Sequence, residues 1–391
     1  MQVEKLEDIC EIASGGTPKR SEDSYWKNGK IPWLKISDIK SKYVDKSEEH
    51  ITQKGLDNSS AKLFKKGTII YTIFATVGEV AILNIDATTN QAIAGLTIKD
   101  SAQINPSYLF YFLKSIKKQM HLLSRGVAQN NINLSVLRQI KVPIPDLNVQ
   151  ERIVNALDQM QNNIKLRQME LSKLDILIKA RFVEMFGDPM IKKDDRNLRK
   201  LKEICIINPK KNLASKFTND IEVSFVPMSS VSEQGDIDVS QRKNYSEVRK
   251  GFTYFAENDV LFAKITPCME NGKGAIATGL INGIGFGSTE FHILRPIKNI
   301  TNPYWIYVLT SFKSFRKLAE VNMTGSAGQR RVPATFLKDY EVRLPPIELQ
   351  NEFASFVQQV DKSKVVNASI MKYIISIRFY LYFKENKEGA R

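Results

Sequence analysis

From Gln150 to Phe186 the chain carries neither glycine nor proline. Its apolar residues there fall in steps of four and three, at Ile153, Leu157, Met160, Ile164, Leu171, Leu174, Ile178 and Met185, with Arg167 and Arg181 filling the two gaps. Such stepping over about five heptads predicts a long helix whose seam packs against another helix. A second stripe follows with Phe353, Val357 and Val360, a polar middle, and then Ile370, Ile374, Ile377 and Leu381. It is about three residues shorter between equivalent points, a slip expected to alter the winding locally. Gly187-Asp188-Pro189 stops the first helix, and the second runs nearly to the last residue.

The stretches ahead of each helix read differently. "GTIIYTIFATVGEVAIL" (Gly67–Leu83) predicts two strands hinged near Gly78, because β-branched runs flank a turn glycine. "NPSYLFYFLKS" predicts a helix with Asn105 as N-cap and Pro106 at its first position. Pro143 and Pro145 are expected to end this globule, since proline lacks a ladder donor and biases the preceding residue away from helix.

The whole pattern occurs twice. "VPIPDLNVQ" (Val142–Gln150) matches "VRLPPIELQ" (Val342–Gln350), and "LEDICEI" from Leu6 matches "LKEICII" from Leu201. "INPSYLFYFLKS" from Ile104 matches "ITNPYWIYVLTS" from Ile300, and "ARFVEMF" from Ala180 matches "IRFYLYF" from Ile377. Order and offset are kept, so the chain is a tandem duplication. The expected fold is α+β. It has globules at 1–149 and 188–350 separated by helical regions at 150–187 and 351–391, the helices packed as an antiparallel coiled coil with an approximate twofold.

Composition bounds the function. At 391 residues, 42% apolar and 25% charged, the chain has the make-up of a soluble protein of two or more domains. The longest apolar run, about Ile69 to Val77, is too short for a membrane span, and "MQVEKLEDIC" is acidic where a signal peptide would be basic. Three cysteines without a CxxC pair fit a reducing cytoplasm, and His50, His121 and His292 are too dispersed to suggest a metal site. A formal charge of +15, with an isoelectric point near 9.5, favours polyanionic partners, nucleic acid first.

Catalytic motifs are weak. "NPSY" at Asn105 faintly resembles the amino-group grip of adenine methyltransferases, yet "NPYW" at Asn302 occupies the same place in the repeat and helix capping explains both. "GIGFG" (Gly283–Gly287) lacks the following acid of a dinucleotide site and is expected to mark a bend between strands. No P-loop occurs, and Asp38-Ile39-Lys40 reads as a strand-end turn. No cofactor or metal is expected. Cys10 and Cys205, repeat-equivalent and flanked by isoleucine, are expected to be buried.

The order of "GGTPKRSEDSYWKNGKIPWLKISD" (Gly15–Asp38), "NNINLSVLRQIKVPIPDLNVQERI" (Asn130–Ile153), "MFGDP" (Met185–Pro189), "FAKITPCMENGKGAIATG" (Phe262–Gly279) and "GFGSTEF" (Gly285–Phe291), with the duplication, resembles the DNA-specificity subunit of type I restriction-modification systems. The resemblance covers essentially the whole chain. It implies two target-recognition domains reading a split double-stranded DNA site, two methyltransferase subunits bound along the helices, and translocating nuclease subunits joining them. The chain itself would then be non-catalytic. The rivals are a self-contained DNA-modifying enzyme and a general DNA-binding regulator without a modification partner.

For phosphates the first globule offers Lys19, Arg20, Lys27, Lys30 and Lys35 around Trp26 and Trp33, and the second offers Lys264, Lys273, Arg330 and Arg331. For bases, "GVAQNN" and "GSAGQRR" are equivalent in the repeat, so Gln129, Asn130 and Asn131 correspond roughly to Gln329, Arg330 and Arg331. Asn and Gln suit adenine and Arg suits guanine. "TTNQ" (Thr88–Gln91) and "GSTEF" (Gly287–Phe291) are weaker candidates of the same kind.

Overall fold

The computed structural model describes residues 2–124, 131–189, 198–211, 221–326 and 328–388. The chain divides into two compact units, Met1–Leu166 with Ile370–Arg391, and Arg167–Ser369.

The first unit is built on a five-stranded sheet in the order Cys10–Ser14, Ile93–Ile98, Ile69–Thr72, Val80–Leu83, Tyr43–Val44. All pairings are antiparallel except the last. Strands Ile69–Thr72 and Val80–Leu83 form the expected hairpin, turned at Gly78 with φ +89°. A three-stranded sheet joins Glu49–Ile51, Ile31–Leu34 and Thr88–Thr89. Helix Pro106–Ser115 is capped by the Asn105 side chain, which accepts from the N–H groups of Ser107 and Tyr108, with proline at its start. It buries Leu109, Phe110 and Leu113 in the core.

Pro143 does not end the globule. It lies inside strand Lys141–Ile144, opposite Val3 in a two-stranded ribbon, where a missing N–H can face away from the partner. The first long helix follows as Leu147–Phe186, its first turn capped by Asp146, which accepts from Val149 at 3.0 Å. Val154 and Leu157, with half-buried Ile153 and Met160, pack into the core of the first globule. Lys42 fixes the helix to it through Asp158 at 2.8 Å.

The second unit repeats the plan. Strands Cys205–Ile207, Phe291–Pro296, Val260–Ala263 and Gly274–Ile276 pair in the order their counterparts take in the first unit. A further four-stranded sheet runs Arg242–Asn244, Glu222–Val226, Ile284–Gly287, Thr253–Ala256. "GIGFG" is therefore not a bend: Ile284–Gly287 is a buried strand. A Cβ on Gly285 would come within 2.0 Å of the Phe255 ring, so glycine serves close packing there.

Within this unit the two long helices run antiparallel. Arg181 pairs with Glu352 at 3.2 Å, Asp175 with Lys364 at 2.8 Å, and Arg167 donates to Asn367 at 2.8 Å, so position rises on one helix as it falls on the other. The rings of Phe182 and Phe353 meet edge to face, 5.5 Å apart, in a core shared with Trp305 and Ile178. The second long helix, Ile347–Glu388, keeps an unbroken four-three seam through Phe353, Val357, Val360, Lys364, Asn367, Met371 and Ile374. The expected slip is absent. Ile370 lies one step off that seam and is exposed, because Lys364 and Asn367 occupy seam positions that the apolar count skipped. Leu171, Leu174, Ile374 and Ile377 are half-buried, Ile164 is buried, and Leu381 lies on the same second helix. No described helix is long and apolar enough to cross a membrane.

Candidate nucleic-acid interface

In the first unit the tryptophans divide. Trp33 is core, with its indole N–H on the Gly16 carbonyl at 2.9 Å, while half-buried Trp26 meets it edge to face at 5.0 Å. The Arg20 guanidinium lies 3.8 Å over Trp26 and 4.6 Å over Trp33 and is ion-paired with Glu49. Lys35 also reaches Glu49, at 2.7 Å. Those two cations hold the Glu49 carboxyl below the usual carboxylate range. Arg20 and Lys35 are thus tied into local structure, whereas Lys19, Lys27 and Lys30 are exposed.

Thr88 and Thr89, offered as possible base readers, are buried beside Trp33 and Leu34 in the three-stranded sheet. Gln91 accepts from Thr17, and Asn90 accepts from the Ala92 N–H at 3.1 Å. Gln129 and Asn130 lie outside the described residues; Asn131 is half-buried.

In the second unit three loops meet at one end of the sheet. Val332 N–H donates to the Lys264 carbonyl at 2.9 Å, Thr266 N–H to that of Arg330 at 3.0 Å, and Lys264 N–H to that of Glu290 at 2.9 Å. His292 adds a bond from Nε2 to the Val332 carbonyl at 2.8 Å. Arg331 forms a two-pronged ion pair with Glu290, both contacts 2.9 Å, which holds the Glu290 carboxyl below its ordinary value. Arg330 bonds the Glu320 carbonyl at 2.9 Å, and Lys273 that of Met228 at 3.1 Å. Gln329 is exposed.

Buried Arg316 braces the loop between strands Val260–Ala263 and Gly274–Ile276, donating to the carbonyls of Met269 at 2.9 Å and Lys273 at 3.2 Å. Nothing in the sequence pattern marked this arginine, two of whose three acceptors lie more than forty residues away, the third being the Thr310 carbonyl at 2.8 Å. Cys10 and Cys205 are buried as expected, and burial pushes both thiols up to about 12.

The family model described as type I restriction modification DNA specificity domain matches residues 1–175 and again 193–372. The EcoAI specificity subunit of Escherichia coli is 44% identical over 153 residues, 38% of this chain and 25% of that protein. The chain therefore spans about a quarter of the length of that relative. The MjaIX specificity subunit of Methanocaldococcus jannaschii is 24% identical over 96% of this chain and 90% of its own length. A solved structure from work on complex assembly and conformational transition of the type I R-M system shares the fold, with TM-score 0.60 at 16% identity, covering 98% of this chain and 96% of that one. The S subunit from M. genitalium gives 0.51 at 14% identity, over 97% and 94%. With the family's domain found twice and nearly end to end, the chain belongs to the type I restriction modification DNA specificity family.

Proposed function

We propose that the chain is the sequence-specificity subunit of a type I restriction-modification complex. It binds double-stranded DNA, reads a two-part target through globules 1–149 and 188–350, and leaves the chemistry to two methyltransferase subunits and to translocating nuclease subunits. One observation carries this reading. An equivalent loop position, held by two equivalent backbone bonds in each copy of the duplication, presents Asn131 in one and Arg331 in the other. Two readers of unlike half-sites need a constant frame with exchanged side-chain chemistry. The net charge of +15 supplies the field for phosphate contacts.

The helices support the partner assignment. Ile153, Leu157, Met160, Ile178, Phe353, Val357 and Val360 are taken up by the globule cores. The second unit's helix segments still expose Met169, Ile176, Leu177, Val365 and Val366, the kind of apolar surface on which a subunit docks. The place of action is the cytoplasm, where the genome lies.

Co-expression with the methyltransferase subunits, followed by single-molecule mapping of methylated bases, tests the reading. A split methylated motif that disappears when this chain is omitted is the expected result. Methyl transfer from labelled S-adenosylmethionine by the chain alone would overturn it, and failure to form a stable complex would favour a regulator.

A further inference from the structure

Arg330 and Arg331 are neighbours in one loop, but their guanidinium groups are engaged differently. Both edges of a guanidinium that grip a base with two bonds, Nη1/Nη2 and Nε/Nη2, include Nη2. In Arg330, Nη2 donates to the carbonyl oxygens of Glu320 at 2.9 Å and Met323 at 3.4 Å. Neither edge is open, and the side chain caps the carbonyl end of helix Lys313–Val321. In Arg331, Nε and Nη2 donate to Glu290 and Nη1 to the Gln329 carbonyl at 3.0 Å. One N–H then remains on each terminal nitrogen, on a side chain that is 41% exposed.

The duplication provides an internal comparison. Val332 N–H donates to the Lys264 carbonyl as Ile132 N–H does to that of Ile73, and Lys264 N–H donates to the Glu290 carbonyl as Ile73 N–H does to that of Ala92. These bonds equate Arg331 with Asn131 and Glu290 with Ala92. The copy with a charged loop residue has a carboxylate beside it; the copy with a neutral amide has alanine. A carboxylate on a DNA-facing surface repels phosphate, so its presence only beside the arginine points to an action on that arginine. The Arg331 backbone is fixed as well, its N–H on the Thr324 carbonyl at 2.8 Å and its carbonyl accepting from Thr324 N–H at 2.9 Å.

We propose that Arg331 is a specificity-determining residue that reads a guanine with its two terminal N–H groups, and that Glu290 is the positioning residue that sets its guanidinium plane before DNA arrives. The proposal rests on the DNA-specificity reading above. Two parallel donors match O6 and N7 of guanine in the major groove. A plane already held by Glu290 and the Gln329 carbonyl loses little rotamer freedom on binding. Arg330 is left a structural role.

The test is selection from a pool of randomised double-stranded DNA by the full chain assembled with its methyltransferase subunits. Wild type should enrich a two-part motif. Arg331→Ala should lose preference for guanine at one position of one part, by about 5- to 150-fold, with the other positions kept. Glu290→Gln, close in shape and uncharged, should weaken the same position and no other while the melting temperature holds. Arg330→Ala should lower the melting temperature and leave the motif unchanged. An intact motif in both Arg331→Ala and Glu290→Gln, or a base change caused by Arg330→Ala, would overturn the proposal while sparing the DNA reading. If wild type enriches no motif, that reading itself fails.

Discussion

The side-chain oxygen of Gln150 accepts the backbone N–H of Asn105 at 2.9 Å, while its amide nitrogen donates to the carbonyls of Gln103 and Pro145, both at 2.8 Å. Gln350 does the same for Asn302 at 2.9 Å, Ile300 at 3.1 Å and Pro345 at 2.8 Å. Both glutamines are fully buried. Each locks the start of a long helix to the residue that caps its globule's helix, which is why both repeats of the proline-rich phrase end in Gln. Gln150→Ala leaves three backbone groups of partly buried bonds without this partner and should destabilise the chain by about 1–3 kcal/mol. Gln150→Glu, which loses both donors, should not rescue it. Urea midpoints decide this; an unchanged midpoint for Gln150→Ala refutes the role.

That phrase marks the limit of legibility. Duplication, α+β class, long helices and the Asn105 cap were readable because each follows from local pattern, and the second copy repeated the signal. The glutamine was visible as a repeat but not as a lock, since its partners lie up to 47 positions away. Ile370 was misplaced because apolar counting passes over Lys364 and Asn367, whose partners Asp175 and Arg167 sit on the other helix. In the candidate site, the two-residue loop RR was legible, but only three-dimensional pairing with Glu290 and Glu320 separates the arginines. Trp33 and Trp26 looked alike in sequence and differ in burial through sheet pairing with Glu49–Ile51.

The polar seam gives a second prediction. Lys364 bonds Asp175 at 2.8 Å and Asp361 at 3.1 Å, with its side chain 22% exposed. Asp175→Ala should cost about 1.5–3 kcal/mol, as for a hydrogen bond to a charged group. In a Lys364→Met background the same change should cost much less, because no shielded cation is left behind. Equal costs in the two backgrounds would show that the pair does not couple.

His292 makes stability depend on pH. Burial holds its imidazole below the ordinary 6.5, with nearby Lys264 acting in the same direction and the bond to the Val332 carbonyl opposing. The Nε2 proton is committed to that carbonyl, and Nδ1 lies 3.0 Å from the Asn208 amide nitrogen, which fits a neutral ring. The unfolded chain therefore takes up the proton first. Stability from the neutral ring is complete above about pH 6.5 and is lost as pH falls toward the lower folded value. The urea midpoint of wild type should drop between pH 7.5 and 5.5, and His292→Gln should flatten that drop. Parallel profiles would exclude His292 as the source.

The basic loop of the first globule sets an exposed lysine beside an ion-paired arginine. Lys19 is exposed, so Lys19→Ala should weaken binding to all DNA sequences alike, reduce the salt slope by about one, and leave stability unchanged. Arg20, one residue on, lies over two indoles and is paired with Glu49. Arg20→Ala should therefore lower stability by about 1–2 kcal/mol through the lost cation–π contact and ion pair. Its effect on DNA binding would then follow from a loosened Trp26 as much as from a lost charge. Glu49→Gln separates these contributions, since it releases Arg20 and Lys35 while keeping every positive charge. Measured by filter binding across salt and by thermal melting, Glu49→Gln should lower the melting temperature without reducing the salt slope. A reduced slope in Glu49→Gln would mean that the ion pair aims Arg20 at phosphate, and the scaffold role would be wrong.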